Sequence, residues 1–128
     1  TVYCDSNIGK AEQLTRELLE RHPNIQVIAG LNAQSATGAA RALKDLQRSD
    51  IFLAGIDCTV EEAEYMEQEI LDVAVLQNPY LMGYYSVETA YKVLKEKKVE
   101  RNIRTAVYVV DKDNMFFEEI QRLIFPFY

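Results

Sequence analysis

The sequence has no tryptophan, one histidine, two cysteines and three prolines among its 128 residues. His22, Cys4 and Cys58 cannot supply the full ligand set of a zinc site at its short, regular spacings. Cys4 and Cys58 fall at the ends of different strand-like runs. There a cysteine is more often a small buried thiol than half of a disulfide, and the pair leaves the redox compartment undecided. Basic residues are outnumbered, with 14 Lys and Arg against 20 Asp and Glu and a formal net charge of −6. A nucleic-acid face would have to overcome that repulsion from phosphates, so no nucleic-acid partner is expected. No apolar run is long enough to cross a bilayer. Glycine is sparse as well. Gly9 alone follows the first strand, so neither the dinucleotide fingerprint nor the P-loop is present. No serine–histidine or cysteine–histidine arrangement stands out. Neither an enzyme nor a cofactor is expected.

What is present is alternation. Hydrophobic residues make up 48% and charged residues 27% of the chain, an ordinary globular balance in one domain's length. "TVYC" at 1–4 reads as a strand. Leu14, Leu18 and Leu19 give residues 9–21 a helical stripe, which "HPN" at 22–24 stops. "IQVIAG" at 25–30 is a β-branched strand. Ala36, Ala39, Ala40, Leu43 and Leu46 make 34–47 a small-residue helix suited to close packing. "DIFLAG" at 50–55 is the third strand. Thr59 caps the next helix, with Glu61, Glu62 and Glu64 near its positive end and Val60, Ala63, Met66 and Ile70 as its apolar stripe. "DVAVL" at 72–76 is the fourth strand. Pro79 opens a helix over 79–96, with Val87, Ala90, Tyr91 and Leu94 on one side. "RTAVYVV" at 104–110 is the last strand, and a short helix from Asn114 to Leu123 precedes "FPFY". Apolar strands alternating with helices predict an α/β fold, a three-layer αβα arrangement around a mostly parallel sheet. The opening strand has no lead-in and no charged-then-apolar leader, so the expectation is a fragment of a longer protein.

In parallel sheets ligands bind beyond the carboxyl ends of the strands. Those ends carry Asp5, Ser6 and Asn7, then Asn32, Asp57, and the pair Gln77–Asn78. The last strand leads to Asp111, Lys112, Asp113 and Asn114. The first four ends offer carboxylates, carboxamides and a hydroxyl, a mixture that both donates and accepts. A neutral ligand crowded with hydroxyls needs such a mixture, whereas an anion would call for Arg or Lys. Asp, Asn and Ser also cap helices and make turns, so Ser6, Asn32 or Asp57 could each be purely structural. Gln77 is a poor cap and points more directly to a ligand.

These residues, in this order, resemble the periplasmic-binding-protein-like family of class I, which includes sugar receptors of ABC transporters and effector domains of lac-repressor-type regulators. "ELLERHPNIQVIAGLNAQSATGAARAL" is similar to that family's helix, "HPD", strand, "ND" segment. "IFLAGIDCT" is similar to its "V-G-x-D" strand end. "VLQNPYLMGYYSVETAYKVL" resembles "Q-x-P-x-x-M-G-x-x-A-V", and "YVVDKDN" its closing strand. The resemblance implies that residues 1–128 are a single C-terminal lobe of a two-lobed protein, lacking the N-terminal lobe. It implies that Asn32, Asp57 and Gln77 hydrogen-bond a neutral sugar, with Ser6 or Asn7 adding a contact. It further implies hinge closure around the sugar, read by a membrane permease, in an extracytoplasmic protein, periplasmic or anchored as a lipoprotein. Two positions depart from the pattern: Ala33 stands where an Asp commonly follows the Asn, and Glu69 holds a turn position usually given to Gly.

Within that resemblance the alternatives are a cytoplasmic lac-repressor-type regulator or a sugar-sensing signalling receptor. A more distant alternative is a phosphoryl-accepting receiver domain, with Asp57, Asp5 and Lys112 at its strand ends. The receiver lacks support from Cys4, where a second magnesium-holding acid is needed, and from Gln77, where a hydroxyl is needed. "FPFY" reads as a surface for the missing lobe, and the fragment is expected to dimerise through surfaces left bare.

Overall fold

A computed structural model describes residues 1–125, and the apolar terminus read at 125–128 lies, past Phe125, outside the described residues. The chain is a three-layer α/β fold around a mostly parallel, open four-stranded sheet. In order, the elements are α1 (Ile8–Arg21), β1 (Val27–Ala29), α2 (Ala33–Asp45), β2 (Phe52–Ile56), α3 (Val60–Glu67), β3 (Val73–Leu76), α4 (Pro79–Leu94), β4 (Tyr108–Val110) and α5 (Glu118–Ile124). The strands lie side by side as β1-β2-β3-β4. The first three are parallel, with Val27 opposite Phe52 and Gly55 opposite Ala74, while β4 runs antiparallel to β3, with Val75 opposite Val109.

Consecutive parallel strands in sequential order, joined by right-handed crossovers, put α2 and α3 on one face of the sheet. That face carries Leu53, Gly55, Ala74, Leu76 and Val110, all buried. The small residues of α2 explain how close the layers come. A Cβ on Gly30 would sit 2.5 Å from the Ala36 backbone, and one on Gly38 would sit 2.5 Å from the Ile8 carbonyl and the Ala11 methyl. Helix α2 is therefore wedged between the sheet and α1. The Arg41 guanidinium then ties α2 to α3 through a two-pronged bond to Glu61, at 2.9 and 3.0 Å. Arg16 spans from α1 to Asp45 at the end of α2.

The other sheet face is barer. Val27 is 62% exposed, Phe52 47% and Val109 61%. Helix α4 buries none of its residues, and Tyr80, Tyr84, Val87, Tyr91 and Leu94 line an exposed stripe along it.

Three elements differ from the sequence reading. Residues 1–4 form no strand, because their backbone joins no ladder and its recorded bond, Asn7 N to Cys4 O at 3.0 Å, closes a turn. The last strand begins at Tyr108, not at Arg104. The last helix begins at Glu118, because Asp111 and Asn114 satisfy each other's backbone and make a turn instead: Asp111 Oδ1 accepts from Asn114 N at 3.1 Å, and Asn114 Oδ1 accepts from Asp111 N at 3.1 Å. Both cysteines are free. No helix among the described residues is long and apolar enough to cross a membrane.

Candidate functional site

Because β1, β2 and β3 are parallel, their carboxyl ends share one edge of the sheet. Asn32 lies just beyond β1, Asp57 just beyond β2 and Gln77 just beyond β3, and each is half-buried. Ladder bonds hold these ends in step: Ile56 N donates to Gly30 O at 3.1 Å and Asp57 N to Val75 O at 2.9 Å. The loop before α1 brings Ser6 to the same edge. There Asn32 Nδ2 donates to Ser6 Oγ at 2.9 Å, and Gln77 Nε2 donates to Asp57 Oδ1 at 3.0 Å. Two polar pairs result, one bridging the α1 loop to β1 and one bridging β2 to β3.

Each member keeps capacity to spare. Asp57 Oδ2, Gln77 Oε1 and the hydroxyl proton of Ser6 have no recorded protein partner. A carboxylate oxygen and an amide carbonyl accept from hydroxyls, while amide and hydroxyl hydrogens donate. The edge can therefore address several hydroxyls of one ligand at once.

Structural roles coexist with this geometry. Asn32 Oδ1 accepts from Ser35 N at 2.8 Å, and Ser35 Oγ accepts in return from Asn32 N at 3.1 Å, a reciprocal cap on α2. Asn7 Oδ1 accepts from Lys10 N at 2.8 Å, so this side chain caps α1. Asn78 does the same for α4, accepting from Leu81 N at 2.9 Å. Of the predicted set, Ser6, Asn32, Asp57 and Gln77 are joined in pairs, and Asn7 stands beside them as a cap.

Backbone strain also concentrates here. Non-glycine residues with left-handed φ are Asp5 (54°), Ser6 (54°), Gln47 (54°), Asp57 (67°), Glu69 (58°) and Glu96 (54°). Gln47, Glu69 and Glu96 end α2, α3 and α4 in the same way, with the next amide reaching back to Leu43 O, Tyr65 O and Lys92 O at 2.9–3.0 Å. These are helix stops that glycine would occupy without penalty. The other three, Asp5, Ser6 and Asp57, lie at the polar edge, where strain persists only because surrounding bonds fix it.

The antiparallel β4 removes one group from the edge. Asp111, Lys112, Asp113 and Asn114 lie at the opposite end of the sheet, and Lys112 pairs with Glu69 there. The receiver-domain constellation of Asp5, Asp57 and Lys112 therefore does not assemble. Among the described residues, no group of three or more His, Cys, Asp or Glu could hold a metal.

Glu62 was missed as an inward-facing residue. The sequence sets it with Glu61 and Glu64 near the positive end of α3, and the structure buries it fully, with Oε2 accepting from Thr59 N at 2.8 Å and Thr59 Oγ1 at 2.9 Å. The Thr-x-x-Glu spacing is the signal that could have found it. Burial pushes its carboxyl up to about 7, against the hydrogen bonds from Thr59 that lower it.

Comparison with known proteins fits this geometry. Residues 1–98 match the periplasmic binding protein domain model. The chain is 35% identical over 102 residues to the ribose import binding protein RbsB of Escherichia coli K12, covering 80% of this chain and 33% of that protein. An Agrobacterium vitis ABC transporter solute binding protein with bound D-fucose superposes with a TM-score of 0.89 at 30% identity, over 96% of this chain and 43% of that one. A second solute binding protein from that organism, with bound alpha-D-tagatopyranose, gives 0.92 at 26% identity, over 97% and 42%. The chain spans about a third of the length of the curated relatives it matches. It belongs to the periplasmic binding protein domain family.

Proposed function

We propose that this chain is one lobe of a two-lobed solute-binding protein that receives a neutral monosaccharide for an ABC transporter. The observation that carries the reading is the pair of bonds Ser6–Asn32 and Asp57–Gln77 at one end of the sheet, each with unfilled donors or acceptors. Relatives named for ribose, D-fucose and tagatopyranose support the choice of a neutral sugar. Asp57 and Gln77 accept sugar hydroxyls through Oδ2 and Oε1, and Asn32 and Ser6 supply donors. The role is binding without catalysis, in a protein located outside the cytoplasm.

One lobe presents half a pocket. The second lobe closes over the sugar, and the ligand shifts the open–closed balance by binding the closed form better. The exposed stripe on α4 and the bare sheet face are then surfaces that the rest of the protein covers. A second copy covers them when the chain stands alone.

Calorimetric titration tests the reading. D-ribose, D-fucose and D-tagatose are each titrated into the 128-residue chain and into the protein carrying both lobes. The two-lobed protein binds at least one of them in the micromolar range or tighter, about −8 kcal/mol, and the isolated chain binds none measurably. Tight binding by the isolated chain, or no sugar binding by the two-lobed protein, contradicts it.

A further inference from the structure

The capping box at the start of α3 accounts for only half of the Glu62 carboxyl. Thr59 engages Oε2, and a glutamine would fill that role as well. Oε1 is the one buried side-chain polar atom without a partner among the described residues. An ionised carboxylate here would hold a charge out of water with one oxygen unbonded, a costly arrangement.

Among the described residues, none beside Glu62 offers a compensating cation. Asp57 in the preceding loop and Glu61 on α3 both oppose a negative charge on Glu62. Cys58 is a protonated thiol, pushed up to about 12 by burial. Arg41 of α2 is committed to Glu61, which also accepts from the Tyr65 hydroxyl at 3.0 Å. On α5, Arg122 and Glu118 pair with each other. The loop between Asp57 and Thr59 is short, so whatever displaces the α3 N-terminus displaces Asp57.

We propose that Glu62 is a proton-operated latch on the β2–α3 loop: protonated, it holds residues 57–62 in the ligand-receiving arrangement, and ionised, it releases them. The latch step is the loss of one proton from Oε1 to solvent, leaving beside Asp57 a buried negative charge that only the Thr59 bonds and the α3 N-terminus offset. Burial sets the changeover near neutrality, so the latched fraction falls as pH rises through that range. The consequence for sugar affinity rests on the function proposed above; the latch itself does not.

Three measurements test it, each from about pH 5 to about pH 9. The carboxyl carbon of Glu62, followed by NMR, titrates with a midpoint near neutrality; an ordinary carboxylate midpoint overturns the latch. Amide hydrogen exchange at residues 57–62, corrected for its intrinsic pH dependence, shows opening that rises about tenfold across neutrality. Glu62→Gln, which keeps an acceptor for Thr59 and cannot ionise, shows no such rise. Equal rises in both proteins, or none in the parent, overturn the proposal. In the two-lobed protein, affinity for whichever of D-ribose, D-fucose and D-tagatose binds falls with the same midpoint in the parent and stays level in Glu62→Gln. If the loop follows Glu62 and none of D-ribose, D-fucose and D-tagatose binds at any pH, the latch stands and the sugar reading is what fails.

Discussion

At the scale of single residues, several polar side chains do two jobs. Asn32 caps α2 with Oδ1 and reaches Ser6 with Nδ2. The two roles separate by substitution. Asn32→Ala loses the cap and costs about 1 kcal/mol of stability, read by denaturant unfolding. Asn32→Asp keeps an acceptor for Ser35 and leaves stability nearly unchanged, but it removes the donor and weakens sugar binding by the two-lobed protein. The strained positions divide in a similar way. Gln47→Gly relieves a left-handed helix stop and stabilises the chain by about 1 kcal/mol. Asp57→Gly relieves the same strain and removes the carboxylate from the polar edge of the sheet. That Asn32, Asp57 and Gln77 stand at one edge of the sheet was legible in the sequence because each comes within three residues of the end of an apolar strand. Glu62 was not, since a glutamate in the first turn of a helix is usually a solvated complement to the dipole, and only burial distinguishes this one.

Among elements, packing distance decides what a glycine is for. Gly38 faces the α1 backbone at a distance no Cβ tolerates, so Gly38→Ala prises the helices apart and costs about 1–3 kcal/mol. Gly83, in the middle of α4, meets nothing within 4 Å. There Gly83→Ala gains about 1 kcal/mol from helix propensity alone, measured in the chain by itself. Opposite signs from the same substitution in two helices check the packing directly. The alternation of strands and helices was readable because apolar runs and caps mark it locally. The direction of β4 was not, because an apolar run carries no arrow and antiparallel pairing is set by where the preceding segment 95–107 leaves the chain. The fate of "TVYC" was likewise out of reach: its composition suits a strand, but a strand exists only where a neighbour completes its ladder.

For the whole molecule, the titration of Glu62 links pH to stability. The folded carboxyl titrates at about 7 against an ordinary value of 4.5, so the folded chain binds the proton more tightly than the unfolded chain does. That contribution is fully present below the ordinary value and is lost as pH rises to about 7. Thermal unfolding midpoints of the parent therefore fall over this window relative to those of Glu62→Gln. The reverse trend, expected of Asp50, Glu61 and Glu69, whose carboxyls their cation partners hold below the usual range, comes from exposed groups and is weak. The most direct measurement compares two carboxylates at opposite ends of one sheet, Asp57 and Asp111, by titrating sugar into the two-lobed protein after Asp57→Ala or Asp111→Ala. Loss of a charged hydrogen-bonding partner at the pocket predicts that Asp57→Ala weakens affinity about a hundredfold, roughly 3 kcal/mol, while Asp111→Ala leaves it within about twofold. Equal losses, or a loss only in Asp111→Ala, would mean that the carboxyl end of the parallel strands is not where the sugar sits.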